Sequence, residues 1–203
     1  MTSKQLKILK IDSSVRSGQS VTRALTNRLV DKLLSVQGNA IVTTRTLPGQ
    51  LTFLSAAAIN AMAAFEPQQP LQLSDELAHE LKTTDLLIIG APVYNFGVPA
   101  SLKAYIDLVV RAGVTFRYTA HGAEGLVKNV KAFIVVASDS TAFGSYADYV
   151  SGYLKQVLTF IGIHDIQFID ATQTRQKGQA GTFVHAHGAI DTIVSNMVPG
   201  TVS

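Results

Sequence analysis

An aromatic, amide-bearing loop at residues 90–99 contains the side chains best suited to hold a flat ligand. It follows an apolar run at 84–89, which predicts a strand buried on both faces, and it precedes a helical pattern at 101–111. Open α/β sheets bind ligands at the carboxyl ends of such strands. Tyr94 and Phe96 around Asn95 suit a hydrogen-bonding heterocycle such as a flavin. The alternative is an ordinary strand-to-helix turn with Tyr94 and Phe96 in the core.

A hydroxyl-rich loop follows the first predicted strand. Residues 12–23 hold four serines, one threonine and one glycine before or at the start of a helical pattern. A helix N-terminus offers unpaired N–H groups and partial positive charge, so this segment predicts a phosphate site. Capping by Ser17 or Ser20 is the alternative, and it leaves the other serines unexplained. The loop lacks the Gly-x-Gly-x-x-Gly and Gly-Lys-Ser/Thr patterns and favours the flavodoxin-like order, in which FMN lies between strands one and three.

A third polar loop, residues 138–145, follows the predicted strand at 131–137. The first, third and fourth predicted strands therefore each end in a loop rich in ligand-binding groups. Because the carboxyl ends of parallel strands lie at one edge of a sheet, we expect the three loops to form one site. This convergence carries more weight than any single motif.

Strands and helices alternate along the chain. The predicted strands are 7–12, 40–45, 84–89, 131–137 and 165–170, and the predicted helices are 20–35, 51–65, 74–82, 101–111, 146–161 and 187–197. Ser74 is the predicted N-cap of the third helix, Pro67 and Pro70 break the second, and a hairpin is predicted around His121. We predict an α/β, flavodoxin-like, doubly wound parallel sheet of five strands in the order 2-1-3-4-5, with helices on both faces. One domain is expected over residues 1–203.

Composition excludes several classes of protein. The chain has 203 residues, is 47% hydrophobic and 15% charged, and contains no cysteine, which excludes disulfides and thiolate metal sites. No apolar run approaches the roughly 18 residues that span a bilayer, and no signal-peptide core is visible, so a cytoplasmic location is expected. The net charge of +3 comes from scattered Lys and Arg residues, which argues against a nucleic-acid binder.

Other polar and aromatic candidates have structural interpretations. His185 and His187 have a spacing that could hold a metal, but near a helix start they are expected to face solvent, so no metal site is predicted. Tyr146, Tyr149 and Tyr153 share a predicted helical stripe. They serve either packing or a subunit interface, where tyrosine is enriched.

Several segments together resemble one known family. The run Pro92-Val93-Tyr94-Asn95-Phe96, the run Leu102-Lys103-Ala104-Tyr105-Ile106-Asp107, and the segments 111–119 and 124–126 are similar to bacterial FMN-dependent NADH-azoreductases and quinone oxidoreductases. The resemblance extends from the first serine loop to residue 163. It implies a flavodoxin-like homodimer with one FMN per subunit near the subunit interface. It also implies NADH as the electron donor and quinones or aromatic azo compounds as acceptors.

The resemblance also assigns site residues. It implies FMN contacts from three loops: Ser14, Ser20, Val21 and Thr22; Pro92, Val93, Tyr94, Asn95 and Phe96; and Ser138, Asp139, Ser140 and Thr141. Relatives commonly carry Gly-Gly where this chain has Ser140-Thr141 after an acid, and side chains there would reorient the flavin contacts. Tyr118 and Phe160 match positions near the substrate pocket.

The implied chemistry belongs largely to the cofactor. No catalytic side chain is predicted, because hydride transfer would occur at N5 of the flavin. The donor would leave before the acceptor enters the same place, which predicts ping-pong kinetics. Backbone N–H groups and amides would stabilise negative charge on the reduced ring. Two alternatives stay open: a flavodoxin-type FMN electron carrier, although such carriers are usually acidic and this chain is basic, and a flavin-free binding module.

Overall fold

Five parallel strands form the centre of the part of the chain that the structure describes. The structure is a computed structural model that describes residues 5–64 and 71–197. The strands are β1 (Leu6–Asp12), β2 (Ala40–Thr46), β3 (Leu86–Pro92), β6 (Lys131–Ala137) and β7 (Asp165–Ala171), and they pair in parallel in the order β2-β1-β3-β6-β7. Strands β4 (Phe116–Thr119) and β5 (Gly122–Gly125) form a separate antiparallel hairpin. Counted within the main sheet alone, the predicted order 2-1-3-4-5 is confirmed.

Six helices connect these strands within residues 5–64 and 71–197. They are α1 (Val21–Val36), α2 (Ala56–Ala64), α3 (Gln72–Thr83), α4 (Ala100–Val109), α5 (Tyr149–Ile161) and α6 (Thr174–Ser195). The predicted helix end at Phe65 and the predicted breakers Pro67 and Pro70 lie outside the described residues. No helix in the described part of the chain is long and apolar enough to cross a membrane.

The core lies on both sides of the sheet. Successive strand residues point to opposite faces, and they belong to two different apolar clusters. Leu9 and Ile134 pack in one cluster with residues of α3, α4 and α5. Their neighbours Ile8 and Phe133 pack in the other with residues of α1 and α6. Every residue of β3 is buried, as expected for a central parallel strand.

A close approach at Gly90 places the start of α1 over the end of β3. A Cβ atom on Gly90 would lie 3.2 Å from the Cβ of Thr22 and 3.4 Å from the Cγ2 of Thr26, so a larger residue would push the helix away. The Ser13 hydroxyl donates a 2.6 Å hydrogen bond to the carbonyl of Gly90. These contacts fix the first loop against the central strand.

Three predicted helix starts are wrong, and the helix predicted from Leu51 begins only at Ala56. The last helix begins at Thr174, not at His187, and Gly178 interrupts it with φ 69° and ψ 158°. Glycine lowers helix propensity, so Gly178 and Gly181 hid this part of the helix in the sequence. The helix predicted from Tyr146 begins at Tyr149, which leaves Tyr146 before the helix and off the predicted stripe.

The predicted cap at Ser74 is also wrong. Helix α3 begins at Gln72, and Leu71 stands at the N-cap without a capping side chain. The buried Ser74 hydroxyl donates to the carbonyl of Leu108 and accepts a 3.0 Å hydrogen bond from Arg111. The Ser74 hydroxyl therefore makes a tertiary contact to α4 and does not cap the start of α3, contrary to the prediction from local propensity.

Candidate active site

The loops after β1, β3 and β6 meet in one cleft at the carboxyl edge of the sheet. The cleft has a volume of about 320 Å³. Every residue predicted to contact the cofactor lines it, together with three residues that were not predicted. The lining residues are Ser14, Arg16, Ser20, Val21, Thr22, Pro92, Val93, Tyr94, Asn95, Phe96, Ala137, Ser138, Asp139, Ser140, Thr141 and Thr174.

Hydroxyl groups gather at the N-terminus of α1. Ser20 is the N-cap, and its Oγ accepts a hydrogen bond from the N–H of Arg23 at 3.3 Å. The Thr22 hydroxyl lies 3.3 Å from the Ser20 hydroxyl. Helix N–H groups, the positive end of the helix dipole and two hydroxyls form a donor set that fits a phosphate. The predicted capping role and the predicted phosphate site therefore share Ser20.

A tight turn shapes the loop after β3. Tyr94 and Gly97 exchange two backbone hydrogen bonds of 3.0 Å, and Asn95 and Phe96 between them have φ of 49° and 67°. Two consecutive positive φ values are the geometry of a type I′ turn. Left-handed backbone at a non-glycine residue costs about 1–3 kcal/mol and is concentrated at functional sites. Phe96 is 59% exposed, so the alternative that placed it in the core is wrong.

The Tyr94 hydroxyl joins the β3 loop to the β1 loop. It lies 3.3 Å from the Ser14 hydroxyl and accepts a 3.3 Å hydrogen bond from the N–H of Val15. On the other side, the N–H of Val93 donates to the carbonyl of Ala137 at 2.7 Å. The three loops of the cleft are thus connected to one another without a ligand.

The start of α6 holds the loop after β6. The Ser138 hydroxyl donates to the carbonyl of Thr141 and accepts a 3.3 Å hydrogen bond from the N–H of Gln173. The N–H and hydroxyl of Thr174 both donate to the Ser138 carbonyl, at 3.0 and 3.2 Å. The Thr174 hydroxyl also lies 3.2 Å from Oδ1 of Asp139. These hydrogen bonds occupy the Ser138 side chain, which lines the cleft with its hydroxyl already paired.

Arg16 and Asp139 are the charged residues of the cleft wall. Arg16 was missed in the sequence, although a cation between Ser14 and Ser17 is itself a signal for an anion. Thr174 was missed because the last helix was expected to begin later. Asp139 is exposed.

Comparison with known proteins identifies the family. A family model described as flavodoxin-like fold matches residues 6–192. The FMN-dependent NADH:quinone oxidoreductase 1 of Hahella chejuensis (strain KCTC 2396) is 46% identical over 171 residues, which cover 81% of this chain and 84% of that protein. Its namesake from Colwellia psychrerythraea (strain 34H / ATCC BAA-681) is 40% identical over 194 residues, 93% of this chain and 100% of that protein. The chain belongs to the FMN-dependent NADH:quinone oxidoreductase family.

Solved structures agree on the fold. The azoreductase from Bacillus anthracis str. Sterne superposes with a TM-score of 0.84 at 21% identity, covering 94% of this chain and 100% of that one. An FMN-dependent NADH-azoreductase from Bacillus anthracis str. Ames Ancestor, solved in complex with FMN, has the same TM-score of 0.84 and covers 96% of this chain. At this identity the likeness establishes the architecture.

The two predicted substrate residues of this family member do not line the cleft. Tyr118 is 76% exposed on the hairpin, and Phe160 lies on α5. Both contact Phe116, with ring centroids 5.4 and 4.6 Å apart. Their role in substrate binding stays a prediction.

Phe160 lines a second cavity of about 490 Å³, which we call the apolar groove. Its lining residues are Leu54, Ile59, Met62, Ile106, Asp107, Val110, Tyr153, Gln156, Val157 and Phe160. Burial raises the pKa of the Tyr153 hydroxyl, and tyrosine is neutral at physiological pH even with its ordinary pKa. The groove therefore presents apolar and uncharged aromatic surface, with one carboxylate at its side.

Proposed function

We propose that the protein is an FMN-dependent NADH oxidoreductase that reduces quinones and aromatic azo compounds by two-electron, ping-pong transfer. The observation that carries the proposal is the convergence of the three predicted loops on one cleft. The relatives whose names specify FMN, NADH and quinone support the cofactor, the donor and the acceptor. Structural neighbours named azoreductases support the azo acceptors.

The cleft's donor set suits FMN. The phosphate would lie against the hydroxyls of Ser20 and Thr22 at the N-terminus of α1, with the cation of Arg16 on the same wall. The ring system would lie against the turn of Tyr94, Asn95 and Phe96. FMN, once bound, supplies the hydride chemistry.

The chain's own residues bind and orient. The amide of Asn95 offers hydrogen bonds to the polar edge of a flat ring, where charge grows during reduction. Phe96 exposes an aromatic face at the cleft, against which a nicotinamide, a quinone or an azo compound can stack. Donor and acceptor would use this one place in turn, which is why ping-pong kinetics are expected. No side chain needs to act as a general acid.

We also infer that the protein is a homodimer that acts in the cytoplasm as a single domain. The apolar groove and the exposed Ile59 and Tyr149 are surfaces that a second copy would bury. Tyr118 and Phe160 would then lie close to a subunit interface, where the predicted substrate pocket is expected. NADH as donor fits the cytoplasmic assignment.

The proposal is tested by a visible spectrum of the purified protein before and after anaerobic NADH. A flavin spectrum that bleaches with NADH and returns on addition of a quinone is the expected result. Steady-state NADH oxidation with quinone separates the enzyme from a flavodoxin-type carrier, which would lack it. A protein that neither binds added FMN nor oxidises NADH would overturn the proposal.

A further inference from the structure

Arg23 turns back from α1 over the β1 loop. Its Nη1 donates to the carbonyls of Arg16 and Ser17 at 2.7 and 3.1 Å, and its Nη2 donates to the carbonyl of Ser14 at 3.1 Å. Its Nε lies 3.6 Å from a carboxylate oxygen of Asp12. One guanidinium thus binds three backbone carbonyls of the loop between β1 and α1, which leads into the N-terminus of α1 where the proposed phosphate site lies.

The position of Arg23 does not favour α1 itself. It is the third residue after the N-cap Ser20, where the helix dipole repels a positive charge. A cation in this place therefore calls for another cause. The three carbonyl contacts and the neighbouring carboxylate provide it.

A buried ion pair lies beside the Arg23 guanidinium and holds it in place. Lys10 and Asp12 are joined at 2.7 Å, and their side chains are 7% and 4% exposed. The Thr26 hydroxyl donates to the other oxygen of Asp12 at 3.3 Å. Because Asp12 is held on both oxygens, the end of the Arg23 side chain beside it is fixed in turn.

Side-chain burial does little to order the outer part of this loop. Residues 15–19 are all exposed, and Val15 is 65% exposed. Since peptide units are planar and trans, carbonyls of Arg16 and Ser17 fixed on Arg23 turn the N–H groups of the next residues away from the guanidinium. These hydrogen bonds from Arg23, which we call the Arg23 clamp, therefore set the backbone direction of the loop before any ligand binds.

We propose that Arg23 is a positioning residue that holds the β1 loop in its phosphate-receptive conformation through these three carbonyls. This inference rests on the proposed function, in which the loop takes the FMN phosphate. The loop then loses its conformational entropy during folding and not during binding, which raises the affinity for the phosphate. Arg23 itself does not line the cleft among the described residues.

The test compares FMN with riboflavin, which lacks the phosphate. Equilibrium titrations are made on the apo forms of wild type, Arg23→Gln, Arg23→Lys and, as control, Arg28→Gln. Arg28 is also on α1 but faces α6, where it lies 3.4 Å from Asp191. The Lys variant keeps the charge and lacks the planar fork that binds several carbonyls at once.

Both Arg23 variants are expected to raise the Kd for FMN about 10- to 100-fold, by analogy with the loss of residues that orient the ligands of a metal ion. The riboflavin Kd should stay unchanged in both, and Arg28→Gln should change neither. Amide exchange of residues 14–19 in the apo protein should become faster, while exchange in α5 stays as in wild type. Arg23→Lys alone decides the matter if Arg23→Gln does not fold.

Four outcomes would overturn the inference. Wild-type FMN affinity in Arg23→Lys would mean that only charge matters, and equal loss of FMN and riboflavin would mean a general structural role. Unchanged amide exchange of residues 14–19 would show that Arg23 does not order the loop. If Ser20→Ala weakens FMN and the Arg23 variants do not, the inference fails and the proposed function stands. If wild type binds neither flavin, the proposed function fails first.

Discussion

The cleft at the sheet edge and the apolar groove differ in how they are built. Backbone-rich loops form the cleft, with hydroxyls, an amide, one arginine and one aspartate on its wall. Side chains on helices such as α4 and α5 form the groove, and most of them are apolar. The cleft is closed by hydrogen bonds within one chain, through Tyr94 and Thr174. The groove leaves part of its aromatic surface exposed. These differences indicate that the cleft binds a ligand and that the groove binds a protein surface.

The largest effect is expected from removing hydroxyls of the polar cleft. Ser20→Ala with Thr22→Ala removes both hydroxyls of the proposed phosphate site. Each lost hydrogen bond to a charged group costs about 1.5–3 kcal/mol of FMN binding. An equilibrium FMN titration of the apo protein measures the loss.

Ser20→Asp separates capping from phosphate binding. Aspartate caps helices as well as serine does, so the apo protein should keep its stability. Its charge repels a phosphate, so FMN affinity should still fall. Ser35→Ala, at an exposed hydroxyl near the other end of α1, is the control and should change neither quantity. Unchanged FMN affinity in both Ser20 variants would contradict the phosphate assignment.

A smaller effect is expected at Asn95. Asn95→Gly removes the amide and suits the left-handed backbone, whose φ is 49°. Loss of one hydrogen-bond donor at a site of developing charge slows the reaction about 100-fold. Stopped-flow reduction of the FMN-loaded protein by NADH should show this, while FMN affinity changes less.

A matched control comes from Asn129, which has φ of 60° and does not line the cleft. Asn129→Gly should leave the reduction rate unchanged. A normal rate in fully loaded Asn95→Gly would mean that Asn95 only shapes the turn. Asn95→Leu is less informative, because leucine is strained in this conformation.

The cleft was predictable because its residues follow strands. A buried apolar run fixes the strand, the strand end fixes the sheet edge, and polar loops at one edge must converge. That logic predicted the loops that carry Ser20, Asn95 and Ser138, and the family resemblance singled out these residues within them. It could not distinguish Ser13, whose hydroxyl is used by Gly90, from Ser20, because that choice depends on which strand lies beside the loop.

What the sequence concealed depends on contacts distant along the chain. The Arg23 clamp joins a helix to backbone carbonyls, which have no side-chain signature. Ser74 has a good capping sequence, yet it bonds to Leu108, which is 34 residues away. The open face of Tyr153 and Phe160 follows from which helices are neighbours, and helical periodicity does not reveal it.

The apolar side of the comparison is tested at Ile59, which lines the groove and is 51% exposed. Ile59→Asp should weaken a homodimer by about 2 kcal/mol if this side chain lies in the buried centre of the interface. Sedimentation at several concentrations, with and without FMN, measures the change. Added FMN should shift the equilibrium towards dimer if both subunits contact it.

Val184→Asp is the control for this substitution. Val184 is 75% exposed on α6, in the helix layer on the opposite side of the sheet. A charge there should not alter the dimer. A monomeric wild type with full FMN affinity and full quinone reductase activity would contradict an FMN site shared between two subunits. Equal loss of dimer in the two variants would mean that the effect of the charge is non-specific.

The smallest expected effect is at Asp148, which joins the two regions. Its Oδ1 accepts hydrogen bonds from the N–H groups of Val150 and Ser151 at 3.1 and 3.0 Å, capping the helix that lines the groove. Its Oδ2 accepts a 2.9 Å hydrogen bond from the N–H of Gly144, in the loop that lines the cleft. Partial burial raises the pKa of this carboxyl, but the hydrogen bonds from Ser151, Gly144 and Val150 outweigh it and hold the pKa below its usual range.

Asp148→Ala should lower the free energy of unfolding by about 1 kcal/mol at neutral pH, the usual cost of a lost N-cap. Because the folded pKa is depressed, the stabilisation is complete above the unfolded value of about 3.9 and is lost as pH falls through the folded pKa. Urea unfolding at pH 7 and at acid pH should therefore show a gap between wild type and variant that narrows with acid. Asp165→Ala, at a 58% exposed carboxyl paired with Lys131, is the control and should cost less. A gap that is the same at both pH values would contradict the depressed pKa of Asp148. No gap at either pH would show that α5 is held by packing alone, and that the cleft loop and the groove helix are not coupled through Asp148.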